Sequence, residues 1–427
     1  MKNILLALLF PVAVFAQGYT SYFTGNPVDS NAVPEFGICM MGGATEHDEA
    51  MKWLLRKANG GDVVVLRSSG SDGYNDYLYE ELGVNVNSVE TLVITSVAGA
   101  ENPYVLDKVA HAEMIWFAGG DQYDYVSYFR DSALGDLLNA YINVKKGPIG
   151  GTSAGMAILG GKYFSAQNGS VTSAQALANP YRANMTLGVD DFLHIPFLQN
   201  VITDTHYDNP DRRGRQTAFL ARFKTDLGMN VNGIACNEYV AVCIGSDGIA
   251  HVYGDYPNYQ EFAYFIQPHC SWENAVETCT PNTPLTWNFS GHALKVYKVP
   301  GTMNGTNYFD VNNWQDATAS GGSWENWSAN NGVFTAVAGL APECLLEAEN
   351  FNRPNIDLLP NPFENELQAQ HVSGQTKISI FDIQGRMVYT ADLMESATIN
   401  TAAFAKGLYV AKIESNGKTT VKKLLKQ

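Results

Sequence analysis

A serine lies between two glycines in the stretch GTSAG at 151–155. The stretch fits the pattern G-x-S-x-G, with a short strand-like run at 148–150 before it and an apolar, helix-like run at 156–159 after it. A sharp turn from a strand to a helix requires small neighbours and exposes the serine hydroxyl, as a nucleophile needs. The turn also leaves the amide of Ala154 near a helix N-terminus, where an oxyanion can be stabilised. The pattern therefore makes Ser153 a candidate nucleophile.

Two further segments could supply a base and an acid for Ser153. His206, in TDTHYDNPDRRGR at 203–215, follows the apolar run 197–202, so a strand would deliver it to the same edge of the sheet as the serine. Glu238, in GIACNEYVAVCIG at 233–245, lies between apolar runs, where a carboxylate costs free energy unless it is paired. A carboxylate bonded to the far nitrogen of His206 would fix the tautomer of the ring and stabilise the imidazolium ion.

Charged residues surround His206, and they have two explanations. Asp204 precedes it, and Arg212, Arg213 and Arg215 follow it. Arg212 and Arg215 could bind a substrate carboxylate through bidentate hydrogen bonds, or the group could be a surface cluster of ion pairs. The histidine could itself be structural, and the GTSAG stretch could be a glycine-rich phosphate loop. The chain, however, has neither the P-loop lysine nor the G-x-G-x-x-G spacing that such loops use.

The elements that must position these residues can be predicted from the alternation of residue types between 36 and 150. Continuous apolar runs alternate with helical stretches at roughly 46–58, 74–82 and 123–143; the runs read FGICMM, DVVVLRSS, TLVITSV and MIWFAGG. This alternation predicts an α/β domain with a parallel sheet that helices cover on both faces. Ligands bind at the carboxyl ends of parallel strands, so the loops at 41–44, 68–73, 118–122 and 151–155 should carry the function.

The composition changes beyond residue 300. The stretch NNWQDATASGGSWENWSANNG has little helical or strand periodicity and predicts an irregular extension packed on the core; sugar binding through exposed tryptophans is the alternative. After RPN at 353–355, short strands with turns at 384–385 and 416–417 predict a small all-β, sandwich-like module. We therefore expect domains at 18–300 and 355–427, joined by an extension and linker at 301–354.

The N-terminus and the charge restrict where the protein acts and what it binds. Residues 1–17 have the pattern of a secretory signal peptide, with one lysine, a short apolar run and Val-Phe-Ala before Gln17. No later apolar stretch is long enough for a transmembrane segment. The net charge of −16 disfavours nucleic acid as a partner, because a binder must neutralise phosphates with clustered lysines and arginines.

The cysteines and histidines give little support to a metal site. The chain has no Cys-x-x-Cys, His-Glu-x-x-His or His-x-His, so we expect neither a metal nor an organic cofactor. Cys39, Cys236 and Cys243 lie in apolar runs and are predicted to be buried thiols. The favoured disulfide joins Cys270 to Cys279, which are nine residues apart in a loop rich in Pro and Asn.

The final segment, 355–427, resembles the C-terminal sorting domain of the type IX secretion system. The features that match are LLPNPFENEL, IFDIQGRMV, GLYVAKI and the basic end VKKLLKQ. The resemblance implies that the type IX machinery is a partner and that the protein is secreted or held at the cell surface after crossing the outer membrane. An immunoglobulin-like binding module is the alternative.

Residues 35–300 resemble the serine peptidases that include cyanophycinase and the aspartyl dipeptidase peptidase E. The resemblance depends on six motifs: Gly42-Gly43, Ser68-Ser69, FAGGDQ at 117–122, the GTSAG turn, D-x-H at 204–206 and GIACNE at 233–238. It implies a flavodoxin-like parallel sheet of the class I glutamine amidotransferase type.

The resemblance also implies roles for individual residues. Ser153 would be the nucleophile, His206 the general base and Glu238 the orienting acid. The amides of Gly120 and Ala154 would form the oxyanion hole. The residues implied to contact the substrate are Asp121, Gln122, Asp204, Arg212 and Arg215.

The chain departs from the family in the histidine segment. Cyanophycinases carry D-Q-H-F-x-x-R-x-R-x-G-R, where this chain has Thr205 in place of the glutamine and Pro210 in place of the first arginine. We therefore expect a secreted serine peptidase that cleaves peptide or isopeptide bonds beside aspartyl residues, with a substrate other than cyanophycin. An esterase or amidase for a non-peptide acyl group and an inactive surface binding protein are the alternatives. The sequence leaves a homodimer open.

Overall fold

The computed structural model describes residues 17–271, 273–343, 356–372, 374–415 and 418–427. The chain divides into two compact units, Met1–Glu343 and Cys344–Gln427. Residues 1–16 of the predicted signal peptide and residues 344–354 of the predicted linker lie outside the described residues. Among the described helices, none is long and apolar enough to cross a membrane.

The strands of the first unit belong to two sheets. In chain order they are β1 Tyr19–Gly25, β2 Ile38–Met41, β3 Asp62–Arg67, β4 Ser88–Ile94, β5 Met114–Phe117, β6 Ile149–Thr152, β7 Lys162–Phe164, β8 Leu187–Val189, β9 Val201–Asp204, β10 Asn232–Cys236, β11 Ala241–Ile244, β12 Ile249–Tyr253, β13 Phe262–Pro268, β14 Leu294–Pro300, β15 Asn307–Asp310, β16 Ala319–Ser320, β17 Ser323–Asn330 and β18 Val333–Ala338.

The helices of this unit are mostly short. They are α1 Asp48–Lys57, α2 Val97–Ala100, α3 Pro103–His111, α4 Gln122–Phe129, α5 Ala133–Ala140, α6 Ala154–Ala157, α7 Ser173–Ala178 and α8 Arg213–Leu227, with π-helical turns at Tyr77–Glu81 and Tyr141–Lys145 and 3-10 turns at Phe289–Gly291 and Trp314–Asp316.

The first sheet contains the predicted parallel strands. Its order is β1-β4-β3-β5-β6-β2-β11-β12-β15-β16. The run from β4 to β2 is parallel, and antiparallel strands flank it on both sides. Strands such as β5, with the sequence MIWF, are buried throughout, because α1 covers one face while α3, α4 and α5 cover the other. The predicted α/β fold with a parallel sheet between helices is confirmed.

A second sheet, which the sequence did not predict, packs against the first. Its order is β18-β17-β14-β13-β10-β9-β7-β8, and only β7, β9 and β10 are parallel to one another. One hydrophobic core joins both sheets, with Ile38 and Phe117 from the first and Ile234 and Phe265 from the second. The other face of the second sheet packs on α7 and α8.

The second sheet corrects the predicted position of His206. The strand before His206, β9, lies in the second sheet, whereas Ser153 follows β6 of the first. The prediction that one sheet delivers both residues is therefore wrong. An apolar run has the same pattern in either sheet, so the sequence could not distinguish the two.

Two other local predictions were wrong. The helix predicted at 123–143 is interrupted between α4 and α5, where Ser132 has an extended backbone and its hydroxyl accepts a hydrogen bond from the Gly135 amide at 3.4 Å. A serine at the N-cap position of a helix has a non-helical backbone. Ser132 therefore separates α4 from α5. The predicted disulfide fails because Cys279 is a buried free thiol, while Cys270 is bonded in another disulfide. Spacing alone does not indicate which way two side chains point.

The stretch predicted to be irregular contributes strands to both sheets. β15 and β16 extend the first sheet, and β17 and β18 extend the second. Trp327 of β17 is fully buried and its Nε1 donates to Glu325 Oε2 at 2.7 Å. Trp324 packs on Tyr297, with ring centroids 5.2 Å apart. Trp327 is therefore a core residue and Trp324 packs against the core while partly buried, so these two tryptophans do not form an exposed sugar platform.

The second unit is all-β, as predicted. Its strands form the antiparallel sheets β19-β20-β23 and β22-β21-β24-β25. Residues such as Leu367, Ile380 and Ile413 form its own hydrophobic core. The strand bounds are β19 Asp357–Leu359, β20 Glu366–Gln370, β21 Thr376–Asp382, β22 Met387–Leu393, β23 Ala397–Asn400, β24 Gly407–Ser415 and β25 Lys418–Lys426.

Candidate active site

Ser153 occupies a strained turn between β6 and α6. Its φ and ψ are 52° and −116°, a conformation that costs a residue with a side chain about 1–3 kcal/mol. The flanking glycines make the turn possible: a Cβ on Gly155 would lie 2.2 Å from Phe117 O, and one on Gly151 would lie 2.6 Å from the carbonyl carbon of Gly155. The Ser153 amide donates to Met41 O at 3.1 Å. Strain of this kind is typical of the turn that presents a nucleophilic serine.

A continuous chain of hydrogen bonds joins the three residues predicted as nucleophile, base and acid. Ser153 Oγ lies 2.8 Å from His206 Nε2, and His206 Nδ1 lies 2.7 Å from Glu238 Oε1. The His206 and Glu238 side chains are 24% and 21% exposed, so they are shielded but can be reached from solvent. A histidine held in this way can take a proton from the serine while the carboxylate stabilises its charged form.

Two glycines at the end of β2 bring the histidine and the acid together. The His206 amide donates to Gly42 O at 2.8 Å, and a Cβ on Gly42 would lie 1.9 Å from Asn237 O, next to Glu238. A Cβ on Gly43, whose φ is 110°, would lie 2.4 Å from His206 Nε2. Only glycine allows this approach, which explains the Gly-Gly pair seen in the sequence.

The predicted oxyanion donors flank Ser153. A Cβ on Gly119 would lie 3.4 Å from Ser153 Cβ, so the loop after β5 touches the serine. Gly120 follows with a φ of 150°. Ala154 is the first residue of α6, and an amide in that position has no acceptor within its own helix. Ala154 is thus next to Ser153 in the chain, and Gly120 is one residue beyond the glycine that approaches it.

Asp121 and Gln122 follow the same loop, and both side chains have partners in the protein. Asp121 caps α4, where its Oδ1 accepts from the Tyr123 amide at 2.9 Å. Gln122 Nε2 donates to Phe164 O at 3.1 Å. Both residues are next to Gly119 and Gly120, the predicted oxyanion loop, and part of the hydrogen-bonding capacity of each side chain is already used.

Asp204 and Arg215 form a buried ion pair. Arg215 Nε donates to Asp204 Oδ2 at 2.9 Å and its Nη2 bonds the other carboxylate oxygen, while the side chains are 4% and 3% exposed. Arg212 Nη1 donates to Thr205 O at 2.9 Å and lies 3.8 Å from Asp204 Oδ1, and its side chain is 20% exposed. Burial, together with the neighbouring Arg215 guanidinium, lowers the pKa of Arg212. The three residues hold the backbone just before His206, and of the two arginines Arg212 is the one that solvent reaches.

The sequence did not single out two further residues at the site. Asp208 Oδ1 accepts from the Glu238 amide at 3.1 Å, and the Tyr239 amide donates to Gly43 O at 3.1 Å. Both contacts join residues that are 30 or more positions apart, which spacing and composition do not indicate. The only sequence signal for Tyr239 was that it follows Glu238 directly in the chain.

Comparison with known proteins gives a match at the C-terminus and a similarity to one enzyme family. Residues 357–427 match the secretion system C-terminal sorting domain. Cyanophycinase from Synechococcus elongatus is 26% identical over 181 residues, which are 42% of this chain and 50% of that protein. The chain is therefore similar to cyanophycinases at low identity. It spans about half the length of the cyanophycinase that it matches.

Two solved structures are also similar. A peptidase from an acI-B1 actinobacterium is 15% identical, with a TM-score of 0.39 over 54% of this chain and 94% of its own. A peptidase E protein from Listeria monocytogenes is 13% identical, with a TM-score of 0.34 over 52% of this chain and 99% of its own. Scores this low add nothing to the fold described above. The sorting domain confirms the predicted type IX route to the cell surface or the medium.

Proposed function

We propose that this cyanophycinase homologue is a serine peptidase that acts outside the cell on peptide or isopeptide bonds, next to aspartyl residues. The observation that carries the proposal is the hydrogen-bonded series Ser153, His206 and Glu238, which begins at a serine in strained backbone geometry. The sorting domain accounts for the location.

In the first step, Ser153 Oγ attacks the carbonyl carbon of the scissile bond while His206 Nε2 takes the hydroxyl proton. Glu238 stabilises the imidazolium ion through Nδ1, and the amides of Gly120 and Ala154 donate to the oxyanion. The carbon–nitrogen bond then breaks, and Nε2 gives its proton to the leaving nitrogen. This step produces an acyl-enzyme and frees the amine.

In the second step, water replaces the amine. His206 Nε2 removes a proton from the water, whose oxygen attacks the acyl carbon, and the proton returns to Ser153 Oγ as the ester bond breaks. The products are a carboxylic acid and the original enzyme. The residues used are the same in both steps, so the chain needs one base only.

Arg212 supports a substrate with a carboxylate beside the scissile bond. Its guanidinium is charged and partly exposed, and it adjoins the segment that carries His206. We assign Arg215 the role of holding Asp204, because its guanidinium already bonds both oxygens of that carboxylate, whereas Arg212 lies 3.8 Å from it. Thr205 and Pro210 replace two residues of the cyanophycinase pattern, so we expect the substrate to differ from cyanophycin.

A fluorophosphonate probe tests the proposal on the intact protein. We expect Ser153 to be labelled and the labelling to be lost in Ser153→Ala and His206→Ala, because the probe requires an activated hydroxyl. Ser132→Ala is the matched control: this serine is 7% exposed and its hydroxyl donates to Phe129 O at 2.7 Å, away from the site. The Ser132→Ala variant should be labelled to the same extent as the wild type.

A panel of α-aspartyl and β-aspartyl peptides then tests the substrate. Cleavage of a panel member by the wild type but not by Ser153→Ala supports the peptidase. Hydrolysis of esters alone would make the protein an esterase. A folded wild type that neither labels nor cleaves would refute the enzyme and leave the surface binding protein as the explanation.

A further inference from the structure

Tyr239 has an unusual backbone for its residue type. Its φ is 65°, a left-handed value that is rare for residues with bulky side chains. The side chain is 48% exposed, so packing of the ring in the core does not impose this conformation. Backbone strain of this kind persists where surrounding structure holds it, and it is concentrated at functional sites.

The position of Tyr239 connects it with the reacting atoms. Its amide donates to Gly43 O at 3.1 Å, and Gly43 borders the ring of His206, since a Cβ there would lie 2.4 Å from Nε2. Nε2 is the nitrogen that meets Ser153 Oγ. Tyr239 therefore lies one hydrogen bond away from the backbone that lines the proton-transferring nitrogen.

The strand order places Tyr239 and the oxyanion loop on opposite sides of Ser153. In the first sheet β6, which leads to Ser153, lies between β5, which leads to Gly119 and Gly120, and β2, which leads to Gly43. A substrate that places its carbonyl oxygen toward the oxyanion loop must direct another part toward β2. The chemistry of the histidine determines which part of the substrate is directed toward β2.

The histidine determines where the leaving group lies. Nε2 gives its proton to the leaving nitrogen, which must therefore come within hydrogen-bond distance of Nε2. The residue attached to that nitrogen then passes along Gly43 and reaches Tyr239. An exposed phenol ring offers a large apolar face with little loss of conformational freedom, and such faces pack well on apolar side chains.

We propose that Tyr239 determines specificity for the leaving-group residue by packing its ring on an apolar side chain. The inference rests on the proposed peptidase function, and it adds the class of residue accepted after the scissile bond. The strained backbone is the cost of directing the ring from this turn toward the substrate.

Pairs of peptides that share the acyl part and differ in the leaving residue test the proposal. We expect the intact wild type to show a kcat/KM about tenfold higher for leucine than for glycine in that position. In Tyr239→Gly the ratio should fall close to one, whereas Tyr239→Phe should keep it. The rate of fluorophosphonate labelling should remain that of the wild type, because the probe carries no leaving residue.

Thermal unfolding separates specificity from a structural role. Glycine adopts a φ of 65° without strain, so the Tm of Tyr239→Gly should not fall. Lys146→Gly is the matched control: Lys146 has a φ of 57°, is exposed and lies before β6, at the opposite end of the sheet. It should keep both the Tm and the leucine-to-glycine ratio.

An unchanged ratio in labelled Tyr239→Gly would overturn the proposal. A fall in its Tm together with slower labelling would also overturn it, because the ring would then be structural. A wild type that is not labelled would refute the proposed peptidase function itself. That result is distinct from an unchanged ratio in labelled Tyr239→Gly, which would refute only the role of Tyr239.

Discussion

The two ends of the first sheet each have a shielded glutamate, and the two glutamates do different things. At the amino end, Glu113 is 3% exposed and accepts from the Asp62 amide at 2.8 Å and from Lys145 Nζ at 3.0 Å. At the carboxyl end, Glu238 is 21% exposed and contacts His206 Nδ1. The more deeply buried carboxylate is thus the one with ordinary structural partners.

This difference teaches that burial of a carboxylate does not by itself indicate chemistry. Glu113 pairs with a backbone amide and a lysine, so it stabilises the start of two strands. Glu238 pairs with a side chain that can gain and lose a proton and that touches a hydroxyl.

The same substitution at both ends tests the comparison, and the largest effect is expected at the carboxyl end. Glu238→Gln should keep the shape of the side chain but lose the charge that stabilises the imidazolium ion. We expect the rate of hydrolysis to fall about 10³–10⁴-fold while the protein remains folded. Peptide kinetics and circular dichroism measure the two outcomes. A fall of less than about tenfold would remove Glu238 from the catalytic group.

The next effect concerns Asp204, the last residue of β9 in the second sheet, which should behave like Glu113. Arg215→Met removes the arginine that bonds both oxygens of the buried Asp204 and leaves only Arg212, 3.8 Å away, so the free energy of unfolding should fall by about 3 kcal/mol. Arg212→Met, the matched control, removes a partly exposed arginine and should mainly raise KM for substrates with a carboxylate. Urea unfolding compares the two variants. If Arg215→Met is as stable as the wild type but binds substrate poorly, Arg215 contacts the substrate.

The smallest effect is expected at the amino end. Glu113→Gln keeps an acceptor for the Asp62 amide but loses the charge opposite Lys145, whose side chain is 28% exposed. We expect the free energy of unfolding to fall by about 1 kcal/mol, with no change in fluorophosphonate labelling. Slower labelling in this variant would mean that the two ends are coupled, and the contrast between them would no longer hold.

Much of the first sheet and the candidate site could be predicted from the sequence. Continuous apolar runs between helical stretches predict parallel strands wherever they occur, because a sheet covered on both faces admits no polar alternation. Ser153 was recognisable because its turn tolerates only small neighbours. His206 and Glu238 were recognisable as polar residues at the ends of apolar runs.

The parts of the fold and the site that the sequence did not predict depend on contacts between distant segments. The second sheet was missed because an apolar run does not indicate which sheet it joins. The strands at 307–338 were missed because the tryptophans are separated by many polar residues, so the segment has no clear strand periodicity. Arg212 and Arg215 differ in how deeply they are buried and in their hydrogen-bond partners. A cluster of charges in the sequence indicates neither the burial nor the partners.

The candidate site lies where the two sheets meet, and this has a consequence for timing. Ser153 follows a strand of the first sheet, His206 follows a strand of the second, and Glu238 lies where the chain passes from β10 of the second to β11 of the first. The bond of 2.8 Å between serine and histidine forms only after the sheets have docked. A chain that has finished only one sheet carries a serine without its base. Such a chain would lack the proposed activity, which would require both sheets to be in place.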